Sequence, residues 1–286
     1  MSADRPMIVT EVAAIQMCST ANMQANLNRA LRLIKEAVKG GAKLVVLPEN
    51  FALLGAEDMY QAGITEAENV EPVTVRKWLA KTARQEKVWI IAGSIPMACL
   101  ADGEILKSKV RAVCLVINDM GDEVARYDKI HLFDVNVNDE YGCYLESETV
   151  QHGDQLVVVD TPCGKVGLSI CYDLRFPELF SQLRQQGAEI ISVPSAFTAT
   201  TGQAHWEILL RARAIETQCY FVAPNQTGHH FGARYSYGHS MIIDPWGRVL
   251  DKLAKQHGVV AASIDLSLLK HIRGRMPMAQ QHRLTF

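Results

Sequence analysis

Short apolar runs alternate along this chain with stretches of helical periodicity, and that alternation restricts it to a layered α/β architecture. Residues 8–17 read as a first strand, ending in polar Cys18-Ser19-Thr20. Leu27, Ala30, Leu31, Ile34, Ala37 and Val38 then recur at helical spacing until Gly40-Gly41 stops them. Residues 44–47 form a short buried strand closed by Pro48, and Val75, Trp78, Leu79, Thr82 and Ala83 mark a second helix. Residues 88–94, 110–117, 124–127, 156–159 and 166–170 read as further strands. Between them, residues 132–154 lack a period and read as a long loop, of the kind that is functional or disordered.

The later part of the chain echoes the first. Pro177 stands at a helix start, and Gly187-Ala188-Glu189-Ile190-Ile191-Ser192-Val193-Pro194 repeats the order of Gly41-Ala42-Lys43-Leu44-Val45-Val46-Leu47-Pro48. Two related βα halves facing each other are expected. A third helix, with His205, Ile208, Leu209, Ala212 and Ile215 on one face, leads to strands at 220–223 and 240–244, and Asp244-Pro245-Trp246-Gly247 marks a turn. No linker or low-complexity segment divides the chain, so 1–286 reads as one domain. Residues 273–286 are an aperiodic tail, disordered or packed on a partner subunit.

At 286 residues, with 48% apolar and 21% charged residues, the chain can bury a large core without disulfides. Its 29 Lys and Arg against 31 Asp and Glu leave a net charge of −2, with no bulk attraction to nucleic acid or an anionic membrane. The longest mostly apolar stretch, 88–101, contains Gly93, Ser94 and Pro96 and is too short to span a bilayer. Asp4, Arg5 and Glu11 interrupt any secretory signal. Seven cysteines, an odd number without C-x-x-C spacing, point to a reducing, cytoplasmic setting.

Three reactive side chains each follow a buried strand: Glu49 after L-V-V-L-P, Lys129 after V-A-R-Y-D and Cys171 after V-G-L-S-I. Ligands of layered α/β proteins bind beyond the carboxyl ends of strands, so the three can share a pocket. Taken singly, Glu49 reads equally as a solvated or capping group, Lys129 as a surface charge and Cys171 as a buried hydrophobe. Together they suit acyl transfer. A carboxylate takes the thiol proton, the thiolate attacks a carbonyl, and an ammonium with a backbone N–H such as that of Tyr172 stabilises the oxyanion.

The segments L-V-V-L-P-E-N, R-Y-D-K-I-H-L-F-D and G-L-S-I-C-Y-D-L-R-F-P-E-L resemble, in order and spread, the three signature blocks of the nitrilase, or carbon–nitrogen hydrolase, superfamily. The resemblance implies an α/β fold of the four-layer α-β-β-α type that dimerises through its helices. It also implies hydrolysis of a non-peptide C–N bond without metal or cofactor. By motif position Glu49 resembles the general base, Lys129 the oxyanion-stabilising lysine and Cys171 the nucleophile, and Glu146 matches a second glutamate that helps position lysine and substrate. H-L-F-D-V, the run from Thr201 to Gln218 and Y-G-H-S-M-I-I-D-P-W-G are similar to the Nit branch. That branch implies a small acidic 2-oxo amide as substrate: deaminated glutathione, or alternatively 2-oxoglutaramate or 2-oxosuccinamate.

Arg175, four residues after the cysteine, is a candidate fork for a substrate carboxylate or else an ion-pair partner of Glu178 or Asp173. Ser195, Phe197 and Thr201 follow the second Pro-closed strand and are candidate pocket residues. Arg211 and Arg213 point to different helix faces and are expected in helix-to-helix ion pairs. His131, His205 and His239 show no partner pattern for a Cys–His enzyme and are expected to be packed or at an interface. There is no metal-binding spacing, P-loop or G-x-G-x-x-G, so no metal or nucleotide is expected. A catalytically silent small-molecule binding protein of the same fold is the reading from another class, and the presence of a potential nucleophile speaks against it.

Overall fold

The computed structural model describes residues 9–55, 58–137, 140, 142–281 and 283. Strand β1 (Val9–Gln16), helix α1 (Met23–Lys39) and strand β2 (Leu44–Val46) form a first βαβ unit. Asn22 caps α1 by accepting from the Ala25 N–H, and the stripe Leu27, Ala30, Leu33, Ile34 and Ala37 is buried. Helices α2 (Met59–Glu68) and α3 (Val75–Glu86) follow, then β3 (Trp89–Ile91), β4 (Ile95–Met97), β5 (Arg111–Ile117) and β6 (Glu123–Asp128). A hairpin, β7 (Asp134–Asn136) and β8 (Cys143–Leu145), leads to the second half: β9 (Val158–Thr161), β10 (Gly164–Leu168), α4 (Pro177–Gln185), β11 (Ile190–Ser192), α5 (Ala199–Thr217) and β12 (Tyr220–Ala223). A second hairpin, β13 (Thr227–Phe231) and β14 (Arg234–Tyr237), precedes β15 (Met241–Ile243), β16 (Val249–Lys252), β17 (Gly258–Asp265), α6 (Leu266–Arg275) and α7 (Met278–Gln281).

The repeat read from the sequence is a repeat of hydrogen bonds. After α1 the Gly41 N–H donates to Val38 O at 2.9 Å and the Ala42 N–H to Ala37 O at 3.1 Å. After α4 the Gly187 N–H donates to Arg184 O and the Ala188 N–H to Leu183 O, each at 3.1 Å. Both glycines sit at φ 97°, a backbone that a side chain would strain. Leu44 then pairs in parallel between Val12 and Trp89, and Ile190 between Val166 and Tyr220.

The strands of the first half, joined by β17 from the end of the chain, form a seven-stranded sheet, ordered β17-β1-β2-β3-β5-β4 with β6 on β5, and strands of the second half form a six-stranded sheet, β16-β15-β12-β11-β10-β9. Val12, Ala14, Val46, Ile91, Cys114 and Val116 of the first sheet pack with Val166, Leu168, Ile191 and Val222 of the second. The alternate residues Ala13, Ile15, Val45, Ile90 and Leu115 pack on α1 and α3. Leu179, Phe180 and Leu183 of α4 and Trp206, Leu210 and Ala214 of α5 cover the second sheet. The layers are helix, sheet, sheet, helix.

Several expectations need correcting. Helix α2 carries too weak a period to be read from sequence. The stretch 132–154 holds the β7–β8 hairpin and a short 3-10 turn at Glu146–Glu148. On α5 the expected apolar face points outward, with Ile208 71% and Ile215 47% exposed. Gly202, Trp206, Leu210, Arg213, Ala214 and Thr217 face inward. Apolar residues occur on both sides of this helix, and the buried Arg213, donating to Leu174 O at 3.2 Å, disguised the inner one. The ion pairs of Arg211 with Glu207 and Arg213 with Glu216 lie within the helix rather than between helices. Arg273, where the aperiodic tail was expected to begin, lies in α6 and donates to Gln218 O and Ala188 O. Of that tail, residues 282 and 284–286 lie outside the described residues.

Candidate active site

Each strand that ends in a reactive residue is closed by contacts that fix the side chain behind it. After β2, the Leu47 N–H continues the ladder to Ile91 O, and Pro48 breaks it. Gly93 lies so close that a Cβ there would fall 2.0 Å from Pro48 O, so only glycine lets the Pro48–Glu49 bend form. Asn50, at φ 56°, donates its N–H to Ser94 Oγ, and Gln226 Nε2 from the second half donates to Glu49 O. Lys129 follows β6, its N–H donating to Ala112 O and its carbonyl accepting from Gly153. Cys171 opens a 3-10 turn, Cys171–Arg175, with its own N–H bonded to Pro194 O at 2.9 Å. Its φ of 47° is rare for a residue with a side chain and costs on the order of 1–3 kcal/mol. The buried Asp173 holds that turn: its carboxylate accepts from the Ile170 and His131 N–H groups and the Tyr127 hydroxyl, and meets His131 Nδ1 at 2.7 Å.

Lys129 Nζ lies 2.8 Å from Glu49 Oε1, and 2.8 and 2.9 Å from the two carboxylate oxygens of Glu146. Glu146 also accepts the Phe133 N–H at 2.7 Å. Burial works to strip Lys129 of its proton, but the two carboxylates outweigh it and hold the ammonium well above the ordinary lysine range. Burial raises Glu146 above the usual carboxylate range; Lys129 pulls it down and Glu49 pushes it up. Burial and the hydrogen-bonded Glu49 carboxylate push the Cys171 thiol well up, against the pull of Lys129 and the Ala196 N–H. At rest the sulfur therefore carries its proton beside a carboxylate placed to accept it.

Glu49, Lys129, Glu146 and Cys171 all line one cavity of about 490 Å³, a size typical of small-molecule sites. Tyr172, Arg175, Phe197 and Thr201 line it too. Ser195 does not: it is fully buried and its hydroxyl donates to Val193 O. Arg175 makes none of the expected ion pairs; it meets His205 Nδ1 at 3.2 Å and faces the Tyr172 and Phe197 rings. His131 has a partner that sequence reading missed, Asp173, and stacks on Phe176 at 3.7 Å. His239 stacks on Tyr237, and His205 lies at the exposed Arg175 contact. Arg234, Tyr144, Phe133 and Glu148 also line the cavity without having been picked out. Arg234 lies among glycines without a preceding apolar strand, so no local signal marked it. Among the described residues no group of three His, Cys, Asp or Glu side chains is arranged to hold a metal ion.

The carbon–nitrogen hydrolase model matches residues 11–273, nearly the whole chain. The chain belongs to the carbon–nitrogen hydrolase family. This hydrolase is 44% identical over 272 residues to a deaminated glutathione amidase of Yersinia enterocolitica, covering 95% of the chain and 92% of the relative. It is 41% identical over 276 residues to the human protein of that name, covering 95% and 82%. The Caenorhabditis elegans NitFhit protein matches in structure with a TM-score of 0.86 at 37% identity, covering 98% of this hydrolase and 66% of the NitFhit chain. The yeast Nit3 protein, of branch 10 of the nitrilase superfamily, matches with a TM-score of 0.83 at 30% identity, covering 99% and 100%. The four-layer α-β-β-α sandwich is thus the nitrilase fold.

Proposed function

We propose that this hydrolase is an amidase for deaminated glutathione that works through a thioester on Cys171. The observation that carries the reading is the Glu49–Lys129–Glu146 cluster, bonded at 2.8–2.9 Å around one ammonium in the cavity that also holds Cys171. The names of the Yersinia and human relatives support the substrate. Glu49 takes the thiol proton as sulfur attacks the amide carbonyl. Lys129 and the Tyr172 N–H hold the oxyanion, and Glu146 keeps Lys129 in place. The C–N bond breaks, Glu49 protonates the departing amine, and the acyl part, still carrying its 2-oxo acid group at the far end, remains as a thioester on Cys171. Water gives a proton to Glu49 and attacks the thioester; the acid leaves and the proton returns to sulfur. A thiol with a raised pKa needs such a base in contact with it.

The exposed Ile208 and Ile215 of α5 support a homodimer through the outer helices. Seven free thiols support a reducing, cytoplasmic setting, and among the described residues no helix is long and apolar enough to cross a membrane. The test is amine release from deaminated glutathione beside ammonia release from 2-oxoglutaramate. Deaminated glutathione is expected to be the better substrate, and Cys171→Ala to be inert. Turnover by Cys171→Ala, or a preference for 2-oxoglutaramate, counts against the reading.

A further inference from the structure

The charged side chains of the cavity wall are not all paired with one another. Lys129 is consumed by Glu49 and Glu146. Two guanidinium groups, Arg175 and Arg234, also line the wall, and among the described residues neither makes an ion pair. Glu148 lines the cavity as well and, among the described residues, makes no ion pair. Arg234 has the more telling surroundings. Its Nη2 donates to Ala196 O at 2.7 Å, and its guanidinium lies 4.9 Å from the centre of the Tyr144 ring. Among the described residues its buried Nη1 has no hydrogen-bond partner. A buried charged donor without an acceptor is costly, and arginine's fork matches a carboxylate.

From this we infer that Arg234 binds a carboxylate of the substrate, with Nη1 as the vacant tooth of the fork and Tyr144 as the face it rests on. The position suits the proposed chemistry, on which this inference rests. Ala196, held by Arg234 through its carbonyl, turns its N–H toward the Cys171 sulfur. The next residue, Phe197, lies under Arg175, whose guanidinium is 5.5 Å from the ring centre. The segment 196–197 therefore carries one guanidinium on each side, one residue from the contact with the nucleophile. A 2-oxo amide brings a carboxylate on its acyl side, and deaminated glutathione brings a second on its leaving group. Arg234 selects for acidic amides over neutral ones of similar length.

The experiment measures alkylation of Cys171 by iodoacetamide, read by peptide mapping, in the presence of rising 2-oxoglutarate. Each protein is compared with its own unprotected rate. Arg234→Gln is expected to need about 10- to 100-fold more 2-oxoglutarate for half-protection, and Arg234→Lys, which keeps the charge but loses the fork, to fall between. Amide hydrolysis by Arg234→Gln is expected to show a matching rise in KM. Loss with both deaminated glutathione and 2-oxoglutaramate assigns the contact to the acyl carboxylate. Loss with deaminated glutathione alone assigns it to the leaving group. A role confined to clamping Ala196 would slow alkylation and turnover while leaving in place both the 2-oxoglutarate midpoint and the KM for either amide, and that result overturns the inference. Failure of the wild-type protein to cleave either amide would sink the amidase reading, while the protection midpoint would still decide the carboxylate site.

Discussion

At the scale of single residues the site is a problem of charge. Two carboxylates and one ammonium sit where water is scarce, with Lys129 2% and Glu49 5% exposed. Lys129 is bonded to both Glu49 and Glu146. Removing one member of such a buried group leaves the others uncompensated. Lys129→Met keeps the length of the side chain and deletes its charge. It is expected to destabilise the fold by about 3–5 kcal/mol at neutral pH and to slow turnover roughly 100- to 1000-fold through loss of an oxyanion donor. Without the lysine, Glu146 loses the pull that lowers its pKa and rises further, so the acid binds a proton more readily. The stability deficit should therefore shrink as pH falls, in urea titrations run at pH 7.5 and 5.5. A deficit that is constant with pH would mean that the lysine's charge is not what matters. Glu49, Lys129 and Cys171 were legible as a group because each lies in a recognisable block after a strand, whereas Glu146, inside the stretch read as a loop, was marked by its motif alone. Ser195 stood at the corresponding strand end of the second half, but its hydroxyl turns back to Val193 O. Arg234 was illegible because its importance lies in a missing partner, which only three dimensions reveal.

At the scale of elements, what matters is how separate strand ends are locked to one another. Asp173 joins the turn that begins at Cys171 to the end of β6, accepting from Ile170 on one side and from Tyr127 and His131 on the other. Through these bonds the cysteine and Lys129, two residues from both Tyr127 and His131, keep a common frame. Asp173→Asn has the same shape but places an NH2 against donors. It is expected to cost about 1–3 kcal/mol for the unsatisfied buried groups and to lower kcat more than it raises KM, since the change lies behind the reacting groups. Thermal melts and steady-state kinetics together check this; full activity with normal stability would show that the tie is dispensable. The strands carrying these residues were readable because short β-branched runs have few alternatives. The hairpin inside 132–154 was not, since β7 and β8 have three residues each and lie half in solvent, with no buried stripe to give a period. The outward face of α5 misled for the opposite reason. Ile208 and Ile215 are apolar enough to imitate a core stripe, while the inner face includes Gly202, Arg213 and Thr217.

For the whole molecule, that misreading has a use. A monomer seldom leaves large aliphatic side chains together on one helix without a partner surface, and Gly247 next to the half-exposed Trp246 lies against Ile215. Ile208→Glu combined with Ile215→Glu is expected to halve the sedimenting mass of a dimer while leaving the circular dichroism spectrum in place; an unchanged mass would move the interface elsewhere. The two halves of the chain are also joined through a titratable side chain. His230 in β13 meets Ser19 O of the first half through Nδ1 at 2.8 Å and Ser236 Oγ through Nε2 at 2.9 Å. A carbonyl can only accept, so Nδ1 carries a proton, while the Ser236 hydroxyl can donate to Nε2 of the neutral ring or accept from it in the charged one. Burial, aided by the charges of Arg234 and His229 and opposed by the Ser19 carbonyl, pushes the imidazole down to about 4 from 6.5. The unfolded chain binds this proton near pH 6.5 and the folded chain only near pH 4. Stability contributed by the neutral ring is thus complete above pH 6.5 and lost progressively down to pH 4. The loss amounts to roughly 3 kcal/mol at about 1.4 kcal/mol per pKa unit. His230→Gln keeps a donor and an acceptor but does not titrate, so the difference between wild-type and variant unfolding free energies should move in the variant's favour by that amount between pH 7 and pH 4. Parallel curves over that range would mean that the ring is already charged in the folded protein, and that the clasp between the halves does not depend on its neutrality.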